Sequence, residues 1–346
     1  RGVLNSLVFI TEALFLTKIP QYIHADGIRA YIIGVDNLDL NFDILLPLPF
    51  SREMVSRFCL ARQARYPNII EPCETTPIFS IDVNLVVIIW MFFSNLIPSP
   101  KSSKNIRLKK FLNYCNFFVK NWVETYYCST GMEKFFEYLV VVSQMNSIGV
   151  EGWIIFVPMM VYAIGLMWTF LDLYLTIRRF HSSDDVAKER ISGKREFIFA
   201  CHHEEVERSE WISFIAVAKN YFLQIIVFCA FHFGPFTLTL SVFIQISFIL
   251  LVALTLKKRF TKHSVLMIMT DSIVVFNYGL LILSSNGIKV YFFLHRLSLM
   301  IMLTVHFLLA GEDLVNEILE VFHFKIEEKA IENPDSNKLY SDNHFE

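Results

Sequence analysis

The chain has 346 residues, 54% of them hydrophobic and 18% charged, with 34 phenylalanines and a formal net charge of -2. A soluble domain carries about 25% charged residues, so this balance excludes an ordinary soluble fold and points to lipid as the surrounding solvent. It also lacks the basic stripe of a nucleic-acid-binding surface, and no nucleic-acid partner is expected. The first residue is Arg1 rather than methionine. A trimmed product of a longer protein is therefore expected, and no signal peptide can be read from such a start.

A membrane helix needs about 20 mainly apolar residues to cover about 30 Å of hydrocarbon. In chain order the predicted spans are 3–20, 77–98, 132–148, 150–177, 211–233, 236–256, 264–284 and 288–310. Two of these, 3–20 and 132–148, are shorter and interrupted by Glu12, Glu137 and Gln144, so an interfacial placement stays open for each. The expected fold is all-α, a polytopic transmembrane bundle of about eight spans.

Short cytoplasmic loops collect Lys and Arg. Lys257, Lys258, Arg259 and Lys262 follow one predicted span, and Arg178, Arg179, Lys188, Arg190, Lys194, Arg195 and Arg208 fill a second loop. A third holds Lys101, Lys104, Arg107, Lys109, Lys110 and Lys120. Segments 99–131, 178–210 and 257–263 are therefore expected in the cytoplasm. The intervening parity makes 132–148 a span and puts both observed ends inside.

That topology leaves 21–76 as the one sizeable outer segment. Pro47, Pro49, Pro67 and Pro72 argue for a mostly irregular loop with short helices. Cys59 and Cys73 both lie in it, and a disulfide between them and a pair of free thiols are both open. Cys115, Cys128, Cys201 and Cys229 fall on inner or membrane positions and are expected reduced. Inside, 111–127 alternates aromatic and charged residues, as a headgroup-level helix does. Residues 311–332 form an expected acidic amphipathic helix, with Leu314, Ile318 and Phe322 opposite Asp313, Glu317 and Glu320. Its apolar face is expected to pack on protein, and 333–346 to be a disordered tail.

Ionisable side chains deep in a membrane need a partner or a polar path. Lys219 and Asp271 each lie about 10 to 12 Å from the inner face by residue count, so this pair is the leading expected contact, with Asp172 competing for the same lysine. Near the outer face the expected partners of Arg296 are Glu12 or Asp82. These pairs either hold the bundle together or line an ion or proton path, and residues at span ends can instead snorkel.

Cys201, His202, His203, Glu204 and Glu205 offer metal-capable groups in a row. Adjacent residues cannot converge on one ion without a second cluster, so no metal site is expected. His295 and His306 read as core histidines. No nucleotide loop, histidine-box repeat or nucleophile elbow is present, so neither a cofactor nor an enzymatic activity is expected.

One stretch of features has a likeness. A short apolar helix ends in Leu16, Thr17, Lys18, Ile19 and Pro20, and Leu38-Asp39-Leu40-Asn41-Phe42-Asp43-Ile44-Leu45-Leu46-Pro47-Leu48-Pro49-Phe50 precedes a strong span and a basic loop. This order resembles the carboxyl-terminal membrane region of large ciliate cysteine-rich, growth-factor-receptor-like surface proteins. The resemblance covers most of the chain and implies a multi-span receptor or recognition protein of the plasma or ciliary membrane. Its expected protein partners bind through the outer loop and the terminal helix. A looser similarity is to polycystin and TRP-type channels, whose pore loop lies between the last two spans. Here only Ser285, Asn286 and Gly287 stand in that place, too few for a selectivity filter. The second expectation is thus a channel or transporter without an ordinary pore loop. A chemosensory-type receptor is disfavoured by the even span count.

Overall fold

Long apolar runs dictate the helices, and short polar breaks end them. In the computed structural model, residues 2–25, 27–28, 31, 45–47, 51–69, 80–82, 126–128, 130–144, 152–192, 195–257, 259–287 and 292–332 are described. In order these form α1 (Gly2–Lys18), β1 (Leu45–Pro47), α2 (Arg52–Arg65), β2 (Ser80–Asp82), α3 (Thr130–Ser143), α4 (Gly152–Ser182), α5 (Asp185–Ser192), α6 (Glu196–Phe199), α7 (Ile212–Ala230), α8 (Gly234–Leu256), α9 (Lys262–Ser285) and α10 (Phe292–Glu332). The only sheet among the described residues is an antiparallel ribbon that sets Leu45 opposite Asp82.

Among the described residues, four helical stretches are long and apolar enough to cross a membrane: Trp153–Ser182, Ser209–Leu256, Lys262–Ser285 and Phe293–Leu319. By length and composition the chain is an integral membrane protein. Its surface agrees, because Trp153, Met167, Trp168, Phe236, Phe243, Leu254 and Leu308 all point outward, while Asn220, Gln224, Gln245, Asp271 and Asn277 are buried. Water would favour the reverse arrangement.

The 48-residue stretch Ser209–Leu256 would be about 72 Å long if straight, twice what a bilayer needs. It doubles back at the 3-10 turn Phe231–Phe233, and Lys219 on α7 bonds Gln245 on α8. Gly234 makes the turn possible. Its φ is +31, and a Cβ there would overlap the His24 carbonyl oxygen. Pro235 follows at the start of α8, where its missing N–H costs nothing. Lys257, with a left-handed φ of 46, ends α8 by donating its amide to Ala253 O at 3.2 Å. Thr261 then opens α9 by accepting the Ser264 amide at 3.2 Å.

α1 is central rather than peripheral. Ile10, Ala13, Leu16 and Ile19 are fully buried, and α1 packs against α10, α9 and α3. At 17 residues it spans about 26 Å, and the 14-residue α3 about 21 Å. Both fall short of a lone bilayer crossing. α2 joins the main core through Met54, Phe58 and Tyr66, which share one apolar cluster with Ile19, Tyr22, Phe136 and Phe231.

Two expectations about elements are corrected. The predicted span 77–98 contains the strand Ser80–Asp82 near its start; the remainder of that span, from residue 83, lies outside the described residues. No break separates the last span from the acidic helix, because α10 runs 41 residues through Gly311. One helical glycine costs only about 1 kcal/mol, which the long flanking runs outweigh. Leu314, Val315, Ile318 and Leu319, on the apolar face of that acidic segment, are exposed on this chain. The headgroup-level helix 111–127 and the tail 333–346 fall outside the described residues, except for Tyr126 and Tyr127.

Candidate functional site

Polar side chains interrupt the apolar runs of α1, α7, α8 and α9 at one depth. Lys219 Nζ donates to Asp271 Oδ1 on α9 at 2.7 Å and to Gln245 Oε1 on α8 at 2.8 Å. The Phe248 ring, one turn from Gln245, lies with its centroid 4.4 Å from the same ammonium. Two hydrogen bonds and a ring face thus replace the water that Lys219 would hold at a surface. Three helices are fixed to one another at a single nitrogen.

Glu12 belongs to this inner constellation. Its Oε1 accepts from Asn220 Nδ2 at 2.6 Å, and its charge interacts with those of Lys219 and Asp271. That corrects the expected pairing of Glu12 with Arg296. Burial of α1 on all sides carries Glu12 to the middle of the bundle, while Arg296 sits exposed beside the buried His295. Asp82 is placed in β2, not in a membrane helix. No ion pair joins Arg296 among the described residues.

Asp172 is likewise bonded to Arg195, not Lys219. It lies in the C-terminal half of α4, where a guanidinium from the segment after α5 reaches it along an apolar stem. A further pair was missed in the sequence. Lys134 and Glu137 on α3 are both buried, with Nζ and Oε2 3.6 Å apart. Their i, i+3 spacing was the available signal.

Two histidines tie α9 to α10. His306 Nδ1 donates to Met302 O at 2.7 Å, and its Nε2 shares a hydrogen bond with Thr270 Oγ1 at 3.0 Å. His295 Nδ1 donates to Asn277 Oδ1 at 2.8 Å, and Asn277 Nδ2 donates to Ile273 O at 2.9 Å. Thr270 and Asn277 are seven residues apart and share a face of α9. Tyr278 Oη donates to Leu16 O at 2.5 Å, which pins α1 to α9.

Outside the spans, the sequence Cys201 to Glu205 does not converge. His202 Nδ1 lies 2.9 Å from Ser209 Oγ, Glu205 pairs with Arg259, and Cys201 is a free, buried thiol. Burial pushes the Cys201 thiol up to about 12 and lowers the His202 imidazole below its ordinary value. Such a thiol is inert rather than nucleophilic. Among the described residues no three His, Cys, Asp or Glu side chains are grouped to hold a metal ion. Cys59 is disulfide-bonded, while Cys128, Cys201 and Cys229 are in no disulfide; Cys73 and Cys115 lie outside the described residues.

α2 seats on the end of the α7–α8 turn. His24 Nε2 contacts Arg65 O at 2.7 Å, the His24 amide donates to Phe231 O at 3.0 Å, and Asn68 Nδ2 donates to Ile23 O at 3.0 Å. The Arg65 guanidinium stacks 4.8 Å from the Phe231 ring centroid. Gly27, with φ +79, lies so close to Ser284 that a Cβ would overlap its hydroxyl. One short segment therefore bridges the ends of the α7–α8 and α9–α10 hairpins.

In comparisons with known proteins, no family model, no curated protein and no solved structure matches this chain.

Proposed function

We propose that the chain is the membrane-embedded region of a multi-span cell-surface receptor or recognition protein, non-enzymatic and part of a larger chain or complex. In this reading about eight spans cross a plasma or ciliary membrane, with both ends of the chain cytoplasmic. The observation that carries it is the seat of α2 on the bundle. A disulfide-bonded segment, outer by the positive-inside rule, is keyed through His24, Arg65 and Asn68 onto the turn between α7 and α8. Anything that displaces α2 then displaces the helices carrying Lys219 and Gln245. The exposed Leu314, Val315, Ile318 and Leu319 supply a surface for a protein partner on the other side.

The intact mass of the native protein, purified from its source membrane and deglycosylated, tests this reading. A mass far above 40.4 kDa is the expected result. A native chain of 40.4 kDa that carries ions in liposomes would replace it with the second reading, a TRP/polycystin-like channel or a transporter without an ordinary pore loop. The specific support for that alternative is the set of open polar atoms around Lys219, Asn220, Gln224, Gln245 and Asp271.

A further inference from the structure

The constellation at the junction of α1, α7, α8 and α9 does not balance its charge. Glu12 and Asp271 bring two carboxylates and Lys219 brings one ammonium, all of them buried. Among the described residues Lys219 is the cation that acts on Glu12, and the buried Lys134 of α3 lies beside its own carboxylate, Glu137. His306 on α10 is hydrogen-bonded between Met302 and Thr270, Arg296 is exposed, and the free thiol of Cys201 is uncharged. His263, at the start of α9, stacks on Phe9 with centroids 5.6 Å apart. With both carboxylates ionised the interior holds one uncompensated negative charge, an expensive state in a low-dielectric site.

The open polar atoms at the same place are chiefly oxygens. Asn220 Oδ1 is open on the very amide whose nitrogen donates to Glu12, and Asp271 Oδ2 is open on the carboxylate that holds Lys219. Gln224 Oε1 is open one turn along α7 from Asn220, and its residue is fully buried. Buried polar atoms in native proteins are nearly always satisfied. A hard cation takes oxygen ligands of these types, and one positive charge brings the site to neutrality. A divalent ion would overshoot beside Lys219. We propose that the bundle binds a single alkali cation among Glu12, Asn220 and Asp271, with Gln224 alongside and bound water meeting the open amide nitrogens of Gln224 and Gln245.

This proposal is independent of the receptor reading, since a structural cation serves a receptor and a transporter alike. It is tested on the full chain in nanodiscs with radioactive sodium as the probe, choline replacing it at equal ionic strength, and potassium as competitor. Saturable uptake of one sodium per chain is expected, together with a rise of the thermal unfolding temperature in sodium but not in choline. Glu12→Gln keeps an acceptor for Asn220 and removes the charge, and it should weaken sodium binding at least about tenfold. Gln224→Leu, which leaves every charge in place, should weaken it less. Should Glu12→Gln fail to fold, the sodium-dependent stability of the unmodified chain and the Gln224→Leu response decide the matter. Folded protein that takes up no sodium near neutral pH, and whose stability ignores sodium, overturns the proposal. In that event a proton on Glu12 closes the charge. Sodium binding that is unchanged by Glu12→Gln overturns it equally.

Discussion

At the centre of the bundle, Lys219 bonds Asp271 and Gln245 with only 4% and 2% of the Lys219 and Asp271 side chains exposed. At the end of α9, Lys262 makes a similar double contact, to Glu312 Oε2 at 2.9 Å and Asp313 Oδ1 at 2.6 Å, with 31% of its side chain open. The distances are nearly the same, but the solvent is not. Water and salt screen the second set and can replace either partner when one is lost. Nothing replaces a lost partner at Lys219. The inner set therefore specifies which helices meet and in what register, while the outer set adds little to that choice.

The sharpest way to break this contrast is to remove one inner partner. Lys219→Met alone should destabilise the bundle by about 3–5 kcal/mol, because Asp271 is left buried and unpaired. The double change Lys219→Met with Asp271→Leu should recover most of that loss. Thermal unfolding and surface trafficking of the three variants measure it, and a double variant as damaged as the single one would show that the pair contributes net attraction. Gly234→Ala comes next, at about 1–3 kcal/mol, from overlap with His24 and a strained φ. Its unfolding curve should fall without any change in the response to Lys219→Met, since the turn and the ion pair are separate devices. Lys262→Met at the boundary should cost no more than about 1 kcal/mol, and that cost should shrink as salt is added.

The smallest expected effect is a pH dependence outside the membrane. Burial lowers the His202 imidazole below its usual 6.5, so the unfolded chain binds its proton more readily than the folded one. The stability this contributes is intact above about pH 6.5 and is lost as pH falls through the lowered folded value. Unfolding midpoints of wild type and His202→Gln at descending pH should converge.

Runs 211–256 and 264–284 were legible because nothing in them competes with a helix, and His232, Phe233, Gly234 and Pro235 mark the turn on composition alone. Counting depth from the basic loops also placed Lys219 level with Asp271, the residues that hydrogen-bond in the structure. The method failed where depth depends on packing rather than on loop position. Glu12 was counted from the end of a presumed lipid-facing span, whereas α1 is enclosed by other helices and its glutamate faces Asn220. The Arg195–Asp172 bond was hidden because it joins a loop to a helix 23 residues away. The ribbon at Leu45–Pro47 and Ser80–Asp82 is too short to show strand alternation, and Pro47 weakens the little signal there is.

α10 carries one more consequence. At 41 residues it is about 62 Å long, roughly twice the hydrocarbon thickness, and no proline interrupts it. Such a rod behaves as a lever, and the contacts of Lys262 with Glu312 and Asp313 place its fulcrum at the start of α9. Its near arm carries His295 and His306, so one continuous helix joins their contacts with Asn277 and Thr270 to the far arm.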